Sequence, residues 1–175
     1  MLPEATDARQ PRTRGAPTPL TKPALDPRSV TALVRSGYPE PYRARVLPRE
    51  KRRLGDALGL TRIGVNQTVL PPGKESSMRH WHTHEDEFVY VLEGEVVLRT
   101  EAGEQRLTAG MCAGFPAGSA DGHQLINRSE RAAVYLEVSN RDPEDCGHYS
   151  DPEVDLLWSP PHARGRFTRR DGTDC

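Results

Sequence analysis

The sequence predicts an all-β protein, a single antiparallel sandwich or barrel, and three observations carry that prediction. From Arg62 to about Asn140, short runs alternate apolar with polar residues, as strands with one buried face do. Glycine, proline or asparagine breaks those runs roughly every ten residues, the spacing of strands joined by tight turns. Helical periodicity is nearly absent from the same region.

In chain order, residues 1–29 contain six of the sixteen prolines and few periodic apolar residues, so they cannot bury enough surface to offset their chain entropy. A disordered tail is expected there. Residues 30–61 read as an extended N-terminal arm, because GYPEPYRARV (Gly37 to Val46) is proline-spaced. Residues 62–140 form the barrel. Its strands are expected in RIGVNQTVL, FVYVLEGEVVLRT, QRLTAGMCAGFPAG, HQLINRSE and AAVYLEVS, with PPGKES and EAGE as turns. Closing the sheet on itself would remove its exposed edges. Residues 141–175 read as a covering arm whose Leu156, Leu157, Trp158 and Phe167 pack onto the outside.

Composition limits what such a protein does. The 175 residues suffice for one core with tails. A formal charge of -1, from 24 basic and 25 acidic residues spread along the chain, provides no field for nucleic acid or a membrane surface. No run approaches a membrane span, and the N-terminus lacks the layout of a secretory signal. Cys112, Cys146 and Cys175 form no C-x-x-C pair, which implies reduced thiols and a cytoplasmic protein; Cys112, in GMCAGF, reads as a small core residue.

Chemistry concentrates in RHWHTHEDEF, residues 79 to 88. On a strand, His80, His82 and His84 share one face and Arg79, Trp81 and Thr83 the other. If HEDE turns the chain, Glu87, Val89 and Val91 of the next strand face the same interior, and Phe88, Tyr90 and Leu92 pack against a second layer. Two imidazoles and a carboxylate then converge, as a divalent metal with nitrogen and oxygen ligands requires. His84, at the strand end, suits a supporting or exposed role, and His148 and His162 read as solvated. Val89, Val91, Met111 and Phe115 are the candidate apolar lining.

Two spacings in this region resemble the motifs of the cupin superfamily. Gly73 precedes His80 by six intervening residues where five are usual; His82, Glu87 after four residues and Gly94 after six more follow the first motif. Gly110, Pro116, Gly118, His123 and Asn127 follow the second, with four residues instead of two before His123. KRRLGDALGL, HWHTHEDEFVYVLEGEV and GMCAGFPAG further resemble a group of bacterial single-domain cupins. The resemblance implies a double-stranded β-helix, or jelly roll, with His80, His82, Glu87 and His123 as ligands of one divalent ion: iron, manganese, zinc or nickel. It also implies a homodimer with exchanged arms and a small-molecule substrate or ligand, without nucleic acid or membrane. The activities it suggests are sugar isomerisation or epimerisation, decarboxylation or lyase chemistry, and dioxygenation, with Glu87 as ligand or, if displaced, as catalytic base. A non-catalytic binding or sensing cupin with a structural metal is the alternative. A cupin half of a transcription regulator is disfavoured, because no helix-turn-helix pattern precedes the barrel.

Overall fold

The computed structural model describes residues 20–159 and 166–175. Residues 1–19, most of the expected disordered tail, and His162 lie outside the described residues. Among the described residues there are twelve short strands. These are β1 (Glu50–Arg53), β2 (Ile63–Leu70), β3 (His80–His82), β4 (Glu87–Glu93), β5 (Glu95–Thr100), β6 (Gly103–Thr108), β7 (Cys112–Phe115), β8 (Gln124–Ile126), β9 (Ala133–Asn140), β10 (Gly147–Tyr149), β11 (Leu157–Ser159) and β12 (Arg166–Thr168). They pair antiparallel in three sheets, ordered β1-β2-β9-β4-β7, β12-β11-β10-β3 and β6-β5-β8. The predicted barrel is thus a jelly roll of three sheets rather than one closed ladder. Isolated bridges Glu75↔Ile126 and His80↔His123 tie the last two sheets' strands to neighbouring chain.

Alternation places the first core. In β4 Val89 and Val91 are buried and Phe88, Tyr90 and Leu92 are exposed. Leu70, Val96, Leu98, Leu107, Leu125, Ala133 and Tyr135 complete the cluster, with Ala113 and Phe115 packed against it. Gly94 joins β4 to β5 at φ +71, and a Cβ there would lie 2.9 Å from the Ala132 carbonyl oxygen, so the turn excludes any side chain. The second layer expected over Phe88, Tyr90 and Leu92 is absent among the described residues. Cys112 and Met111 are exposed as well. The expectation for Cys112 failed on parity: β7 turns Ala113 and Phe115 to the core and Cys112 and Gly114 away from it.

A second core forms from the ends of the chain. Tyr38, Val46, Met78, Tyr149, Val154 and Leu156 are buried together, with Tyr42, Leu47, Trp158 and Phe167 against them. Where an extended arm was expected, Tyr42–Val46 is a short helix, α1, begun at Pro41, and it buries Val46. Leu54–Leu58 is a second one, α2, ended by Gly59 in the left-handed region. Five residues are too few to show a helical period, which is why neither was read. β1 lies between them as an edge strand of the main sheet. No helix among the described residues is long and apolar enough to cross a membrane.

Candidate metal centre

Each of the three sheets brings part of the site. β3 presents His80 and His82 on one face, while Trp81 on the other stacks on the His148 ring at 4.5 Å, so His148 is half-buried rather than solvated. β4 begins with Glu87 facing inward. His123, just before β8, exchanges both backbone hydrogen bonds with His80 (3.1 and 2.8 Å). That bridge sets His123 directly opposite His80, and the two extra residues in GSADGH are absorbed before it.

Three of the predicted residues converge on one oxygen of the fourth. Glu87 Oε2 lies 2.8 Å from His123 Nε2, 3.6 Å from His82 Nε2 and 3.8 Å from His80 Nε2. The other nitrogens set the tautomers. His80 Nδ1 donates to the Met78 carbonyl at 2.9 Å, and His82 Nδ1 meets Asp145 Oδ2 at 2.6 Å, so both rings turn Nε2 toward Glu87. His123 stacks on Phe115 at 3.6 Å, and its buried Nδ1 has no partner among the described residues. His84 is exposed and outside the cluster.

Charge follows from this packing. Burial, reinforced by the neighbouring His123, pushes His80 down to about 3, so it is a neutral donor at any ordinary pH. Burial alone would raise Glu87, but the hydrogen bond from His123 and the adjacent His82 and His80 outweigh it and hold the carboxyl well below the usual range. His82 is raised despite burial, because Asp145 and Glu87 stabilise its cation. Burial pushes Glu85 up to about 7.

Metal ligands about 2.1 Å from an ion sit roughly 3 Å from one another at neighbouring corners. The Glu87–His123 separation matches that, His82 and His80 stand farther from the same oxygen, and ligand atoms of His80, Glu87 and His123 all lie within 4.8 Å of each other. The residues therefore fit a divalent cation, and neutral imidazole with carboxylate is the donor chemistry such ions take. His82, Glu85 and Asp145 form a second such group, but Asp145 already holds His82 Nδ1 and accepts from Thr83 Oγ1 and the backbone N–H groups of His84 and Glu85. It braces the turn between β3 and β4. Sequence reasoning missed Asp145, which lies 63 residues beyond His82 in a segment read only as a covering arm.

The cluster opens into a cavity of about 400 Å³. Val89, Phe115 and Leu125 form its apolar wall, Tyr38, Tyr149, Trp158 and Phe167 bring the second core to it, and Arg49, Lys51, Tyr135 and Glu137 add a polar side. Of the expected lining, Val89 and Phe115 are present; Val91 is sealed in the core and Met111 is 48% exposed at a turn. A smaller space of about 60 Å³ touches His82, Glu85, Glu87 and His123 together with Trp81 and Asp121.

Comparison with known proteins agrees with this architecture. Residues 66–139 match the cupin domain model. A sugar phosphate isomerase of the cupin superfamily from Silicibacter pomeroyi is 42% identical, with a TM-score of 0.82 over 87% of this chain and 96% of that one. The chain belongs to the cupin superfamily. A candidate sugar phosphate isomerase from Acidithiobacillus ferrooxidans is 29% identical (TM-score 0.64, 73% of this chain and 80% of that one). The polyketide cyclase RemF of Streptomyces resistomycificus, 16% identical with a TM-score of 0.59 over 74% of this chain and 87% of that one, shares the fold. No curated protein matches the sequence. Cupins commonly bind a metal ion, and this cupin has a group of side chains able to hold one.

Proposed function

We propose that this cupin is a metal-dependent enzyme acting on a small oxygenated substrate, a sugar phosphate by first choice, in an isomerase-type reaction. The observation that carries the reading is the convergence of His80, His82 and His123 on Glu87 at the wall of a cavity of about 400 Å³. The 42% identity to a sugar phosphate isomerase, over nearly all of that protein, supports the choice of substrate.

In this reading the four residues are the ligands of one divalent ion, which when bound supplies Lewis-acid polarisation of a substrate oxygen. Met78 and Asp145 fix the two imidazoles of β3. Glu87, whose Oε2 meets His123 Nε2 at 2.8 Å, is taken as a ligand. Val89, Phe115 and Leu125, with the aromatic side chains of the second core, exclude water from the substrate. The homodimer and the cytoplasmic location keep their place in this reading; a monomer mass by light scattering at micromolar concentration would reject the dimer.

The test begins with elemental analysis of protein made without added metal. Stripped protein is then reloaded with iron, manganese, zinc or nickel and mixed with aldose and ketose phosphates in deuterium oxide. Interconversion with deuterium entering the carbon beside the carbonyl is the expected result. If every metal and substrate gives neither, the isomerase reading is wrong and the non-catalytic binding cupin replaces it.

A further inference from the structure

Among the polar residues of the cavity wall, Arg49 has a buried N–H without a hydrogen-bond acceptor among the described residues. Arg49 and Lys51, two positions apart at the start of β1, both line the cavity. The register carries them into the interior: Lys51 pairs with Thr68, and Thr68 with Tyr135, both fully buried on the inner side of the sheet. Of the carboxylates on this cavity, Glu137 is the one that pairs with Lys51. Its Oε2 binds Lys51 Nζ at 2.6 Å, and its Oε1 accepts from Thr68 Oγ1 at 3.1 Å. Arg49 is half-buried, and its Nε is buried without a hydrogen-bond partner among the described residues.

We propose that Arg49, supported by Lys51, is an anion-binding subsite in the cavity wall that takes a phosphate or carboxylate group of the substrate. A buried guanidinium N–H left without an acceptor is costly, and a planar fork of N–H donors is the group best matched to two oxygens of one anion. With Lys51 committed to Glu137, the second cation adds attraction without competing for the ligand. A cavity of about 400 Å³ accommodates a molecule of a few carbons with an anion at one end and hydroxyl or carbonyl oxygens at the other. The subsite deepens the reading given under Proposed function and depends on it only for what the other end of the substrate does.

The experiment is titration calorimetry with inorganic phosphate, and separately with acetate, on protein stripped of metal, with chloride at matched ionic strength as the control. The parent should bind phosphate or acetate in preference to chloride. Arg49→Ala should weaken that binding about tenfold or more, Arg49→Lys and Lys51→Met should fall between, and the ligand-free melting temperature reports whether each variant is folded. Arg49→Ala binding within twofold of the parent, or chloride binding equally well, overturns the proposal. Should Arg49→Ala fail to fold, Arg49→Lys and Lys51→Met decide on the same criterion. Because the protein is metal-free, an anion titration can fail while turnover persists, or the reverse, so the two readings stand or fall separately.

Discussion

The two cores of this molecule are made in opposite ways. The first gathers residues two apart on neighbouring strands, Val89 with Val91 and Val96 with Leu98, so its pattern is written within each short run. The second joins Tyr38 and Met78 to Tyr149 and Leu156; the Tyr149 hydroxyl meets that of Tyr38 across 111 residues of chain. The first is a framework set by local alternation, while the second depends on long-range docking of both ends of the chain. The candidate metal centre sits on their seam: Glu87 comes from a strand of the first core, and His80 and His82 from a strand whose sheet lies over the second.

The difference can be broken most forcefully in the cores themselves. Leu70→Ala and Leu156→Ala should each cost about 2–5 kcal/mol, since both side chains are buried. Leu70→Ala should lower the global unfolding midpoint, whereas Leu156→Ala should appear chiefly as faster hydrogen exchange in β10 to β12 with the main sheet still protected. Equal, fully cooperative losses would show that the two cores are one unit.

Next comes the seam. Glu87→Ala, His80→Ala, His82→Ala and His123→Ala should each reduce metal retention by about a hundredfold or more, measured by elemental analysis after dialysis, while exposed His84→Ala should stay at parent occupancy. Loss of metal from His84→Ala with His80→Ala unaffected would shift the ligand pair by two residues. Asp145→Asn, which removes the acceptor that holds His82 but keeps its shape, should cost roughly ten- to a hundredfold in metal affinity. An unchanged affinity would mean that the C-terminal segment braces the fold without tuning the centre.

The smallest effect lies in the cavity's polar wall. Burial would raise Glu137, but Lys51 and Arg49 outweigh it and lower its pKa in the folded protein. The unfolded chain then takes up the proton first, so this carboxylate's contribution is present above about pH 4.5 and is lost as pH falls below it. In metal-free protein, Glu137→Gln should flatten the acid limb of the urea midpoint measured from pH 7 to pH 3. An acid limb as steep as the parent's would assign the loss to other groups.

Where a structural signal is local, the residues announced it. Alternation in RIGVNQTVL and FVYVLEGEV becomes β2 and β4, and the H-x-H run of β3 with its glycine-bounded neighbours pointed to the cupin superfamily before any contact was known. Period two needs only four or five residues to be visible, and a histidine pair on one strand face needs three. Parity at strand starts was less secure. A single residue at the Gly110 turn decides whether Cys112 or Ala113 faces inward, and the chain places Ala113 there.

By itself, then, the sequence determined the β architecture, the face shared by His80 and His82, and the candidacy of Glu87 and His123, because all of these rest on spacing along the chain. Only the tertiary structure decided that His123 meets His80 despite the longer motif, that Asp145 holds His82, and that Arg49 faces the cavity with Lys51 paired to Glu137. Each of these joins segments tens of residues apart, and a chain carries no periodic mark of a contact that exists only once its distant parts have packed.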